Sequence, residues 1–294
     1  MLGKKVLSEE YVFKLEKIFK QKKWTLQEAG EYSVFDRFCS RLAELENDIQ
    51  RDLVIELTND FLWVQSSMYE GYLLSALKKL FESKEWERPK EKNIYICPLL
   101  PKKDFGKLKS STFMLYLCQS ILMRTYPEFQ ESQIRICETP ELLKDHIGKI
   151  GSLILIDDFI GSGETALECL DYLKFINNTD TKIYIVSLVA QEEGIDNISK
   201  ERVSVFTAII RKKAITDTYS GSEAKEKIET MINISKHLHA KDTMLLGYAD
   251  TESLVAMIKT PNNTFPVYWF EYKNNSYAPF VRKENVKVIG RWKK

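Results

Sequence analysis

Residues 153–165 read LILIDDFIGSGET. Four apolar residues lead into two adjacent carboxylates, Asp157 and Asp158. Two more apolar residues follow, and then the small, turn-prone run Gly161, Ser162, Gly163, Glu164, Thr165. A short continuous apolar run bounded by turn residues predicts a strand buried on both faces, as in a parallel sheet. The glycines allow a tight turn, after which Glu164 and Thr165 open a helix. There, backbone N–H groups, the Ser162 and Thr165 hydroxyls and the positive end of the helix converge, an arrangement that suits a phosphate. The two carboxylates can accept hydrogen bonds from hydroxyl groups. Acid pair, turn and helix start together suit a phosphorylated sugar.

The surrounding sequence alternates in the same style. Ile94–Cys97, Gln133–Cys137, Ile150–Asp157, Lys182–Ala190 and Val203–Ile210 read as strands, with helices over Ser111–Met123 and Glu164–Ile176. Strands alternating with helices predict an α/β fold, a parallel sheet with helices on its faces and a Rossmann-like core. Before it lies a helical N-terminal region: Glu9–Phe19 and a longer stretch from Phe35 to Leu80 carry apolar residues at helical spacing. The charged segment 82–93 with Pro89 ends that pattern, which places a boundary near residue 90, with 1–90 helical and 91–294 the α/β domain. Lys225–His239 reads as a helix and Thr251–Ile258 as a helix or strand. From Pro261 the chain is rich in proline, asparagine and aromatics, which favours turns and packed irregular loops.

Composition excludes several classes. The chain has 294 residues, a net charge of +1, 44% hydrophobic and 29% charged residues, so any basic function must be local. No apolar run approaches the roughly 20 residues that span a bilayer, and the N-terminus lacks a signal-like apolar core. A cytoplasmic protein with no membrane partner is expected. Five scattered cysteines without a CxxC pair read as buried free thiols.

Strand-plus-acid patterns also hold Mg²⁺ in P-loop enzymes, but these need a G-x-x-x-x-G-K-[ST] loop. Gly106-Lys107 and Gly148-Lys149 are followed by Leu and Ile and have no preceding glycine, so that class is set aside. The loop after the first core strand, Pro98–Lys109, carries Lys102, Lys103, Lys107 and Lys109 just before Ser110 and Ser111 at a helix start. Lysines beside helix N–H groups suit a polyanion. Arg211, Lys212 and Lys213 form a second basic cluster.

LILIDDFIGSGET resembles the signature of type I phosphoribosyltransferases, with Ser162 at the place of the usual first threonine. The resemblance implies a phosphoribosyltransferase-like core. It implies that Asp157 and Asp158 bind the ribose hydroxyls of phosphoribosyl pyrophosphate (PRPP) or a nucleotide as the catalytic pair, and that Gly161, Ser162, Gly163, Glu164 and Thr165 bind its 5′-phosphate. It also makes Lys102, Lys103, Lys107, Lys109 and Ser110 the candidates for the pyrophosphate. A Mg²⁺ ion would accompany the ligand, touching Asp157 and Asp158 only through the metal–ligand complex. The segment Gly247–Arg282, with PNNT at Pro261–Thr264, Trp269 and a late Pro-Phe-x-Arg, looks like the tail of a bacterial phosphoribosyltransferase-like group found in anti-phage conflict systems, including retrons. This implies a defence effector and, as partners, a reverse transcriptase with its DNA–RNA hybrid. PNNT itself reads as a structural turn with Trp269 packed inside.

The connection Glu138–Lys149 is too short for the two-stranded flap usual in that family. Two readings follow: transfer or hydrolysis at ribose C1, or a non-catalytic nucleotide sensor or scaffold that assembles with a reverse transcriptase and nucleic acid. The tail Arg282–Lys294, with six basic residues and one acidic, motivates the latter assembly.

Overall fold

The computed structural model describes residues 6–24, 33–89, 93–131, 133–176, 179–272 and 277–282; the basic tail beyond Arg282 lies outside them. Helix α1 (Glu9–Lys22) buries Tyr11, Leu15, Ile18 and Phe19 at three- and four-residue spacing. Its acidic first turn and basic last turn complement the helix dipole. Helix α2 (Val34–Glu44) begins at Ser33, whose hydroxyl accepts the Asp36 N–H at 2.9 Å. Helix α3 (Asp48–Asp60) begins at Asn47, whose side-chain oxygen accepts the Gln50 N–H at 3.0 Å. Each cap satisfies a donor that the first turn leaves open. A short strand, β1 (Leu62–Trp63), follows.

Helix α4 (Tyr69–Phe81) precedes the sheet. Next come β2 (Asn93–Pro98), α5 (Ser110–Leu117), the short α6 (Ile121–Thr125) and α7 (Pro127–Glu131), β3 (Ile134–Ile136) and β4 (Ile150–Ile160). They are followed by α8 (Glu164–Tyr172), β5 (Lys182–Gln191), α9 (Glu192–Ser199) and β6 (Ser204–Arg211). All five strands from β2 to β6 run parallel, in the order β3-β2-β4-β5-β6. The α/β expectation therefore holds. By order of appearance the sheet reads 2-1-3-4-5, a doubly wound arrangement whose direction of growth reverses between β2 and β4. Its strands are apolar on both faces: Leu153, Ile154, Leu155 and Ile156 are all fully buried.

One local expectation changes. The helix expected over Ser111–Met123 is broken, because the Ser120 side chain accepts the Met123 N–H and starts a new helix there. Between β3 and β4 the chain forms 3-10 turns over Pro140–Lys149. After β6 come α10 (Gly221–His237), β7 (Val255–Ala256), which pairs parallel with β1, and α11 (Pro266–Trp269). Among the described residues no helix is long and apolar enough to cross a membrane.

Packing does not divide the chain at residue 90. The described residues of Met1–Val64 and Lys212–Glu284 form one compact unit, and Gln65–Arg211 forms the other. The physical reason is where the apolar faces go. Leu15, Phe19, Leu42 and Leu57 from α1–α3 share a core with Met231, Ile234, Phe265, Tyr268 and Phe280, and the Phe61 and Phe280 rings stack at 4.8 Å. Helix α4 instead packs on β5 and β6, with Leu73 and Leu77 fully buried. The helical N-terminal region is thus shared between two cores.

The first unit also contains buried charge. Arg41 has its guanidinium 3.0 Å from Glu44 and donates to the Phe270 carbonyl; burial pushes it down to about 10. Glu252 is 2% exposed and accepts the N–H groups of Ile215 and Thr216 and the Thr216 hydroxyl, each at 2.9 Å. These bonds tie the chain leaving the sheet to the loop before β7. Glu252→Ala leaves those buried donors unpaired and is expected to cost about 3 kcal/mol in urea unfolding; stability equal to wild type would contradict this anchoring.

Candidate functional site

The acid pair sits where β4 loses one neighbour. Strand β2 ends at Pro98, opposite Ile156, and the Leu99 N–H makes a last bond to the Ile156 carbonyl at 2.8 Å. On the other side β5 keeps pairing, with Asp157 opposite Ser187, Phe159 opposite Val189 and Ile160 opposite Ala190. From Asp157 onward β4 is therefore flanked by a strand on one side only. The crevice at the reversal of strand order opens there, and ligands collect at such points in open α/β sheets. The strand continues to Ile160, past the end expected at Asp157.

Two hydroxyls clamp the pair. Tyr69, at the start of α4 and 1% exposed, donates to Asp158 Oδ2 at 3.0 Å. Ser110, at the start of α5, donates to Asp157 Oδ1 at 2.9 Å, and the Asp158 N–H donates to the same oxygen at 2.9 Å. Each clamp takes one oxygen of its carboxylate.

Asp158 is buried and Asp157 half-buried. Burial, and next the negative charge of Asp158, hold the Asp157 carboxyl well above the usual carboxylate range, against the Asp158 N–H and the Ser110 hydroxyl. Burial also raises Asp158, opposed by hydrogen bonds from Ser110 and Tyr69. The pair therefore takes up protons at a higher pH than ordinary carboxylates do.

The turn that follows is braced from behind. Gly163 adopts φ 84° and is the N-cap of α8, which has no capping side chain; the first-turn N–H groups of such a helix face outward toward an anion. Helix α9 closes on the turn: a Cβ at Gly194 would stand 2.2 Å from the Gly161 carbonyl oxygen, and Asn197 donates to the Ser162 carbonyl at 3.1 Å. Gly161 and Gly163 are buried, Ser162 is half-buried, and Glu164 and Thr165 are exposed.

The lysine loop is arranged differently from its sequence reading. Lys103 pairs with Glu168 at 2.6 Å, and Lys107 and Lys109 pair with Asp104 at 2.7 and 2.9 Å. Lys102 is exposed. Ser110 is engaged by Asp157. The fold thus gathers Asp157, Asp158, Ser110 and the turn Gly161–Thr165 at one end of the sheet, whereas three of the four lysines are matched with acids. Of the second basic cluster, Arg211 closes β6, and the Lys213 N–H is held by Asp217 at 2.9 Å. The PNNT segment belongs to the other unit and is structural there: the Asn263 side chain bonds the Tyr248 carbonyl, Thr264 the Val255 carbonyl and Trp269 the Thr264 carbonyl.

Tyr69, Gly194 and Asn197 had no signal in the sequence. Tyr69 belongs to a helix whose apolar spacing marks it as core, and Gly194 reads as an ordinary helical glycine.

Two expectations follow. The folded-state pKa of Asp157 lies above its unfolded value of about 3.9, so its favourable contribution is complete below that value. It is lost as pH rises through the folded pKa. Asp157→Asn removes the penalty: its melting temperature is expected above wild type at pH 8, with the gap closing as pH falls to 4. A gap that widens on acidification would contradict the assignment. Gly194→Ala forces α9 off the turn and is expected to lose about 2 kcal/mol in chemical denaturation; a neutral substitution would show that α9 does not brace it.

A search of curated proteins finds no match. Among solved structures, orotate phosphoribosyltransferase from Aeropyrum pernix overlaps 52% of this chain and 77% of its own, at 13% identity and a TM-score of 0.30. The AQ2163 protein from Aquifex aeolicus overlaps 60% of this chain and 83% of its own, at 11% identity and a TM-score of 0.32. The family model described as PRTase-CE matches residues 38–283.

Proposed function

This chain belongs to the PRTase-CE family and is phosphoribosyltransferase-like; on that footing we propose that it binds PRPP or a ribonucleotide, ribose hydroxyls on Asp157 and Asp158 and 5′-phosphate in the turn Gly161–Thr165. The observation that carries this reading is the one-sided end of β4, where a clamped acid pair and an uncapped helix start follow each other at the sheet's reversal point. The pair accepts two neighbouring hydroxyls, and the turn accepts a phosphate. Among the described residues no group of three or more His, Cys, Asp or Glu is placed to hold a metal ion. On the family resemblance, a Mg²⁺ ion would arrive on the phosphates of the ligand and touch Asp157 and Asp158 only through that complex.

As an enzyme the site acts at ribose C1. The bond to the leaving group breaks with its electron pair, C1 becomes oxocarbenium-like, and water or an acceptor adds. When ionised, the acid pair stabilises the developing cation. We place this activity in bacterial anti-phage defence, with a retron reverse transcriptase and its DNA–RNA hybrid as partners, on the resemblance of the tail.

A second reading, a nucleotide sensor or scaffold that performs no transfer, is favoured by two observations: the ion-paired lysines and the 3-10 turns at Pro140–Lys149, where a closing flap would be needed.

Calorimetry with PRPP and Mg²⁺, and with ribonucleoside monophosphates, tests the binding common to both readings. Two charge-assisted hydrogen bonds are at stake, so the Asp157→Asn/Asp158→Asn double variant is expected to bind about 100-fold more weakly. Absence of wild-type binding to every ligand, or unchanged affinity in the double variant, overturns the reading. Release of pyrophosphate or free base by wild type assigns the enzyme; tight binding without turnover assigns the sensor.

A further inference from the structure

All five cysteines are free, but two of them are neighbours. β2 and β3 run in register with Ile96 opposite Ile136, and the Cys137 N–H extends that ladder by bonding the Ile96 carbonyl at 2.8 Å. Cys97 and Cys137 therefore stand side by side on adjacent strands, at a spacing of about 4.8 Å. Disulfides bridge Cα separations of roughly 4.4–6.8 Å. Both side chains enter one apolar layer with Leu99, Leu153 and Leu155. The Cys137 thiol donates to the Thr139 carbonyl at 3.1 Å.

The two thiols are unequal. The neighbouring Cys97 is the largest influence on Cys137 and holds it below the usual thiol value, against burial. Burial raises Cys97 and pushes Cys39, Cys118 and Cys169 up to about 12. A thiol beside a second, resolving thiol is one element of reversible oxidation; Cys97 is fully buried and Cys137, at the end of the sheet, is 6% exposed.

We propose that Cys97 and Cys137 form a thiol-oxidation site that a hydroperoxide converts reversibly to a disulfide. The Cys137 thiolate attacks one peroxide oxygen; the S–O bond forms, the O–O bond breaks, and the leaving oxygen departs as water or an alcohol after taking a proton. Cys97 sulfur then attacks Cys137 sulfur. The S–S bond forms, the S–O bond breaks, and the departing hydroxide leaves as water with the Cys97 proton. Two electrons pass from the thiols to the peroxide. The bridge joins the root of the lysine loop at Pro98 to the start of the connection leading into Pro140–Lys149, at the same end of the sheet as Asp157. This inference stands apart from any ligand.

The test uses the reduced full-length protein, treated with equimolar hydrogen peroxide, alkylated, and mapped by mass spectrometry. The expected product is the Cys97 peptide joined to the Cys137 peptide, about 2 Da lighter than the two reduced peptides together, and it reverts with dithiothreitol. Cys97→Ser and Cys137→Ser are each expected to abolish it, whereas Cys118→Ser keeps it. The wild-type peptide map decides the matter even if a serine variant folds poorly. A link through Cys169, oxidation of Cys137 to sulfinic acid with Cys97 still reduced, or five unreacted thiols would each overturn the proposal.

Discussion

The site depends on one mismatch in strand length: β2 stops opposite Ile156 while β5 accompanies β4 to Ile160. Without it, Asp157 and Asp158 would lie inside a sheet buried on both faces, where ionised carboxylates are strongly disfavoured. With it, their backbone stays in the ladder on one side and a crevice opens on the other. Tyr69 and Ser110 reach that crevice from the first residues of two helices and hold one oxygen of each carboxylate. The cost of burial shows in the raised pKa values of both acids, and on the proposed function hydroxyl donors from a ligand would lower it.

The run at residues 153–165 was legible because its signals are local. Apolar continuity marks a doubly covered strand, two glycines around Ser162 mark the turn, and Glu164 starts a helix, as found in α8. The partners of the acid pair were not legible. Tyr69 lies 89 positions before Asp158 in the chain, and apolar spacing shows that α4 is buried without showing what it is buried against. Gly194 is small because of a backbone on another segment, a contact that only the fold reveals.

Other differences had signals that stronger ones hid. Ser120 is a good cap, but the apolar residues on both sides of it read as one helix. Asp104 lies among the very lysines it neutralises, three positions before Lys107, so the ion pairing was available from spacing alone. The boundary near residue 90 rested on a charged, proline-containing segment. Such a segment marks the end of a helix, whereas the cores follow the apolar faces: Phe61 and Tyr268, far apart in sequence, have ring centroids 4.5 Å apart.

The most direct measurement of the central claim is the affinity for ribose 5-phosphate compared with its analogue lacking the 2- and 3-hydroxyls. If Asp157 and Asp158 receive the diol, the deoxygenated analogue binds about 100-fold more weakly. Equal affinity for the two compounds would contradict the account, because the acid pair would then make no use of the hydroxyls it is placed to accept.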